Sequence, residues 1–151
     1  MGYSIYLSRG SSKSKIKKAS FKDLPSGSNI IIPQDPDQLL SENDLNIDLT
    51  YNHSWYYYST IDNEKGIRFI YGMKASDAIP LLKIAIKKLE FMEQEETRTG
   101  KVMSQTWGKD GKYDPKSKDH YWGVNARNAI LALQKLIALA ELAPDFTFHG
   151  D

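Results

Sequence analysis

Tyr51-Asn52-His53-Ser54-Trp55-Tyr56-Tyr57-Tyr58, followed ten residues later by Arg68, is the stretch whose residue types are best suited to holding a ligand. Five of the seventeen aromatic residues fall in this octet, and consecutive aromatic side chains cannot all face one core in either a strand or a helix. The spacing leaves two readings open. In one, the tyrosine rings straddle core and solvent with their hydroxyls wet. In the other, the rings wall a concave site and stack on a planar ligand, while Arg68 and Asn52 hydrogen-bond its phosphate or polar edge. Stacking contributes roughly 1–3 kcal/mol per base, and a guanidinium fork matches phosphate oxygens. The candidate ligand-binding residues are therefore Tyr51, Asn52, Trp55, Tyr56 and Arg68.

Other chemistry finds less support. His53, His120 and His149 are far apart and show no HExxH or paired-histidine spacing, so neither a metal nor another cofactor is expected. Gly108-Lys109-Asp110-Gly111-Lys112 has the wrong glycine spacing for a phosphate-binding loop, and Tyr113 stands where the metal-binding hydroxyl belongs. Ser54 follows His53 directly, but no Gly-x-Ser-x-Gly elbow surrounds it. Scattered carboxylates can always be paired on paper into an acid and a base, so they decide nothing. The expectation is a protein without catalytic residues.

Composition narrows the partners. The chain has 151 residues, Lys+Arg 20 against Asp+Glu 19, a formal charge of +1 and no cysteine. That length buries a core of ordinary size without a disulfide or metal staple, and the zero removes thiolate chemistry and Cys-ligated zinc. A near-neutral chain gives no global field for nucleic acid, which disfavours that partner. A local exception is the carboxylate-free basic run at residues 9–22, read as a solvated arm or loop, with an anionic partner as the functional alternative. Tyr6 stands where N-myristoylation wants Ser or Thr, and residues 129–142 are too short and too polar to span a bilayer. A cytoplasmic, membrane-free protein is the expectation.

The elements that must position the aromatic stretch follow from periodicity. Residues 3–8 alternate as a first strand, residues 29–32 form a short β-branched strand closed by Pro33, and residues 37–43 make one helical turn. Residues 45–51 alternate without a break, with Leu45, Ile47, Leu49 and Tyr51 on one face. Residues 66–71 read as another strand. A helix capped by Ser76 carries Ala78, Leu82, Ala85, Leu89 and Met92 on its apolar side, and a second, at 126–142, is capped by Asn125 and stopped by Pro144. Leucines spread round the second helix, so it is either sandwiched in the monomer or covered by a partner subunit. Residues 145–149 close the sheet, and residues 94–123 form a long polar flap with a hairpin at 109–111. The expected architecture is α+β: one domain, 1–151, with a small, mainly antiparallel sheet covered by two helices.

Several of these segments carry a recurrent pattern: Asn46-Ile47-Asp48-Leu49-Thr50-Tyr51-Asn52, Gly66-Ile67-Arg68-Phe69-Ile70-Tyr71-Gly72, Ala78-Ile79-Pro80-Leu81-Leu82, Tyr121-Trp122 and Pro144-Asp145. Over residues 45–151 the chain resembles a group of small, largely uncharacterised proteins encoded by bacteriophages and prophages. It departs from the pattern where Asp48-Leu49 widens the first motif and where the connector at 94–118 is long. The resemblance implies a phage accessory protein acting in the cytoplasm of the infected cell, and it carries no catalytic residues across. Joined to the aromatic stretch, it leads to the expectation of a non-enzymatic protein that blunts host defence by sequestering a small nucleotide-type signal. A protein-binding inhibitor of a host nuclease or other defence protein, and a nucleic-acid-associated accessory protein, are the alternatives.

Overall fold

The computed structural model describes residues 2–9, 23–24, 37, 44–104 and 124–151. The short strand at 29–32, the helical turn at 37–43 apart from Asp37, the basic run at 9–22 apart from Arg9, and the hairpin at 109–111 lie outside those residues.

Alternation builds the sheet. In β1 (Gly2–Ser8), Tyr3, Ile5 and Leu7 are buried while Ser4 and Tyr6 face outward. β2 (Asn46–Thr50) pairs antiparallel with β1, Ile5 opposite Ile47 and Tyr3 opposite Leu49. β3 (Thr147–Gly150) pairs antiparallel with the other edge of β1, Leu7 opposite Phe148. The order is β2-β1-β3, and the register places the inward side chains of all three strands on one apolar face. This face is covered by helices, giving the expected α+β arrangement.

Three helices do the covering among the described residues. α1 (Ser54–Thr60) follows a 3-10 turn at Tyr51–His53, α2 spans Ala75–Thr99, and α3 spans Ala126–Leu142. The Asn125 side chain caps α3 by accepting from the Asn128 N–H at 2.9 Å, as its residue type predicts. Most of the apolar spread round α3 is absorbed within the monomer, Leu131 staying 39% exposed. Leu133, Leu136 and Leu139 are fully buried, and α3 touches β2, α1 and α2. No helix among the described residues is long and apolar enough to cross a membrane.

Three expectations are corrected. α2 starts at Ala75, with Lys74 rather than Ser76 at the cap position and no side-chain cap bond. The orphan N–H groups of Ala75 and Ser76 donate instead to the carbonyls of Phe146 (2.7 Å) and Pro144 (2.9 Å), so the chain entering β3 caps the helix. The polar run from Gln94 onward does not leave the helix. α2 continues to Thr99 and stops at Gly100, whose φ of 69° provides the left-handed cap; the flap expected from residue 94 can begin only after that. Finally, Gly66–Ile70 is a 3-10 turn rather than a strand. Gly66 enters it at φ 58°, and beside that buried glycine the buried side chains are Ile67 and Ile70, three apart, as that helix's period requires.

Candidate functional site

The aromatic stretch owes its geometry to a helical period. His53, Tyr56, Tyr57 and Thr60 are buried, an i, i+3, i+4, i+7 stripe, and Trp55 and Tyr58 sit half-buried on its flanks. Two adjacent tyrosines therefore do fit one core, because 100° separates them and the buried face is at least that wide. Tyr56, expected on a cavity wall, is fully buried. Its hydroxyl donates to Glu96 Oε2 at 2.5 Å, and Trp55 meets its ring edge-on at 5.1 Å. Asn52 is exposed, its N–H held by Thr50 Oγ1 at 3.2 Å.

Tyr51 and Arg68 do come together. The 3-10 turn aims Arg68 back across β1, so that its guanidinium carbon lies 4.9 Å from the centre of the Tyr3 ring and 5.9 Å from that of Tyr51. These two rings meet edge-to-face at 4.6 Å. Arg68 Nε donates to the Asp151 carbonyl at 2.9 Å, and Asp151 Oδ1 accepts from the Ser4 N–H at 3.0 Å. Tyr3 and Ser54 share a hydrogen bond of 2.5 Å, and Ser54 Oγ donates onward to the Tyr51 carbonyl at 2.6 Å. Tyr71 closes the corner over Gly150, where an added Cβ would run into the phenol. Burial, reinforced by the Asp151 carboxylate and partly offset by Arg68, pushes the Tyr71 hydroxyl up to about 12. The arrangement clamps the end of β3 to β1 and the 66–70 turn. Of the five candidates it unites two, Tyr51 and Arg68, and leaves Asn52, Trp55 and Tyr56 elsewhere.

Glu96 was not singled out by the sequence reading. Only 9% exposed, it accepts from Tyr56 Oη and the Met103 N–H on Oε2, and from the Ala126 N–H on Oε1, the last two at 2.8 Å. One carboxylate thus ties α1, the segment after α2 and the first turn of α3, where the helix dipole favours a negative charge. Burial, and next the bond to Glu96, push the Tyr56 hydroxyl far above the usual tyrosine range. The available signal was spacing: Leu82, Leu89 and Glu96 repeat by sevens on the core side of α2.

Tyr57 has no such partner. Its hydroxyl is buried without a hydrogen bond among the described residues, and burial pushes it far above its ordinary range. A buried unpaired hydroxyl costs about 1–3 kcal/mol. Tyr57→Phe should therefore stabilise the fold by about 1 kcal/mol, raising Tm by about 2–4 °C. A fall in Tm on calorimetry would show that the hydroxyl is satisfied.

A hollow of about 340 Å³ opens between β2 and α3. Leu49, Leu131 and Ala132 give it an apolar wall, and Thr50, His53, Asn128 and Lys135 bring a hydroxyl, an imidazole, an amide and an ammonium to it, with Asp48 at the same opening. Asn128, Leu131, Ala132 and Lys135 are i, i+3, i+4 and i+7 on α3, hence one stripe of that helix. Thr50 abuts the aromatic stretch and His53 lies within it, yet nothing in their spacing marks a hollow shared with α3. Among the described residues no group of three His, Asp or Glu side chains is placed to hold a metal ion. No family model matches the chain, and no curated protein or solved structure matches it.

Proposed function

We propose that the protein binds a small nucleotide-type molecule in the hollow between β2 and α3 and holds it without transforming it. The observation that carries this reading is the pairing, in one opening of about 340 Å³, of an apolar wall with a few convergent polar groups, the composition of small-molecule sites. Leu131, 39% exposed, and Ala132 offer a surface for a planar base. Lys135 supplies a point charge for phosphate, and Thr50 a hydroxyl beside it. Asp48 would repel a phosphate placed next to it, so the base edge, with its exocyclic amine, belongs on that side. Arg68 and Tyr51 form a structural clamp rather than a wall of this site. In the setting that the phage-like pattern suggests, such a protein would withdraw a signalling nucleotide from a host defence, which requires affinity and no transition-state stabilisation.

Thermal-shift screening against mono- and cyclic nucleotides, dinucleotides and ADP-ribose derivatives tests the reading. A ligand at a hundred times its Kd stabilises by about 2.7 kcal/mol, a shift of roughly 5–10 °C for a domain of this size. Lys135→Ala should abolish most of that shift and leave the unliganded Tm within about 1–2 °C, since surface changes stay near ±0.5 kcal/mol; Arg68→Ala should keep the increment on a lowered baseline. An unchanged increment in Lys135→Ala would reject the hollow. Release of a chemically altered nucleotide on denaturation would reject simple sequestration.

A further inference from the structure

The outward face of α2 carries a pattern that neither the hollow nor the tyrosine corner uses. Asp77, Ile84, Phe91 and Arg98 are spaced by sevens and all lie on the solvent side, directly opposite the buried stripe of Ala78, Leu82, Ala85 and Leu89. Ile84 is 57% exposed and Phe91 71%, two large apolar groups one heptad apart on the same outward line. A seven-residue repeat on a straight helix drifts by about 20° per heptad and suits a partner helix crossing at about 20°.

The order of the four residues reads as its own complement in reverse. Laid antiparallel on a copy of itself about a two-fold axis between Lys87 and Lys88, the helix sets Ile84 against the copy's Phe91 and Asp77 at the level of the copy's Arg98, whose guanidinium also binds Glu95 of its own helix at 2.7 Å. Lys83 and Lys87 then flank the level of the copy's Glu90. A parallel arrangement would set Asp77 against Asp77 and Arg98 against Arg98. We propose that the protein self-associates through α2 as an antiparallel two-fold dimer. The interface is isologous, as closed dimers require. A single helix pair spanning roughly 30 Å falls at or below the ~1,200 Å² where standard interfaces begin, so the association is weak and depends on concentration. The paired lysines at the axis oppose it and weaken it further.

Site-specific crosslinking reads this geometry directly, because the chain contains no cysteine and an introduced thiol meets only its own copy. Lys88→Cys, beside the axis, should oxidise to a disulfide-linked dimer. Pro80→Cys, also exposed on α2, would stand roughly 20 Å from its copy and should remain monomeric. Equal crosslinking at the two positions would mean random collision and overturn the proposal. Sedimentation of the full chain should show a monomer–dimer equilibrium, and Phe91→Lys should weaken it at least about tenfold while leaving the helical circular dichroism unchanged. Asp77→Arg should weaken it too, and Asp77→Arg with Arg98→Asp should restore it, although both changes oppose the helix dipole and neither helps the monomer. A chain that sediments as a monomer at every accessible concentration, or a double reversal that fails to restore association, rejects the two-fold α2 interface.

Discussion

Glu96→Gln should lower the unfolding free energy by about 3 kcal/mol, a drop in Tm of roughly 6–12 °C. The carboxylate takes three donors, two on Oε2 and one on Oε1. A carboxamide has one carbonyl oxygen and one NH2 group. If its oxygen faces Tyr56 and Met103, the NH2 group points at the Ala126 N–H. In the opposite orientation it points at two donors. Either way a buried N–H or O–H loses its acceptor, which costs more than a missing bond on the surface. Tyr56→Phe removes one donor and leaves the carboxylate two, so it should cost less, about 2 kcal/mol. The double variant should lose less than the sum, because both changes break the same bond. Urea titration at constant m-value measures all three. A Glu96→Gln loss below about 1 kcal/mol would mean that water already serves these donors.

The contrast between Tyr56 and Tyr57 shows how far the sequence could be read. Alternation in residues 3–8 and 45–51 was sufficient to locate β1 and β2, because one face of a sheet is either buried or not and the period of two declares it, although Tyr51, expected on the inner face of β2, opens the 3-10 turn that follows it. Asn125 declared the start of α3 by its residue type. The 66–71 segment misled because Ile67, Phe69 and Tyr71 alternate, whereas Gly66 at φ 58° commits the backbone to a turn whose buried period is three. That dihedral is invisible in a string of letters. Gln94-Glu95-Glu96 looked like the end of a helix because three polar residues in a row resemble a solvated loop. Glu96 is buried only because Tyr56, Met103 and Ala126 arrive from elsewhere in the chain to satisfy it. Long-range partners decide which polar residue can go inside, and spacing alone does not reveal them.

The same limit governed the candidate site. Tyr51 and Arg68, seventeen residues apart in the chain, were expected around one ligand, whereas the guanidinium lies against the Tyr3 and Tyr51 rings themselves. A guanidinium that rests on two rings and donates to a carbonyl at 2.9 Å holds the sheet's corner in place. The hollow drew residues from β2 and α3, some eighty positions apart, where neither segment alone suggested a ligand. The fold therefore uses its aromatic stretch for cohesion, while Thr50 and His53 reach the hollow beside it.

That cohesion should fail at high pH in a way that can be assigned to particular phenols. The hydroxyls of Tyr56, Tyr57 and Tyr71 are all raised by burial above the ordinary value of 10. A raised pKa in the folded state means that, above pH 10, the unfolded chain has released protons that the folded chain still holds. Stability from these groups is then complete below pH 10 and falls as pH rises through the window up to the folded values. Each fully buried phenol contributes a slope approaching −1.4 kcal/mol per pH unit. Tyr56 and Tyr57 together should remove about 3 kcal/mol between pH 8 and pH 11, with a smaller addition from the more exposed Tyr71 because solvent screens it. Lysine deprotonation acts over the same range, so the decisive comparison is internal. Tyr57→Phe, more stable than the parent at pH 8, should lose about 1.4 kcal/mol less than the parent by pH 11, and urea midpoints at the two pH values measure the difference. Equal losses in the two proteins would mean that Tyr57 ionises as readily in the folded chain as in the unfolded one, and that the core around α1 is open to water.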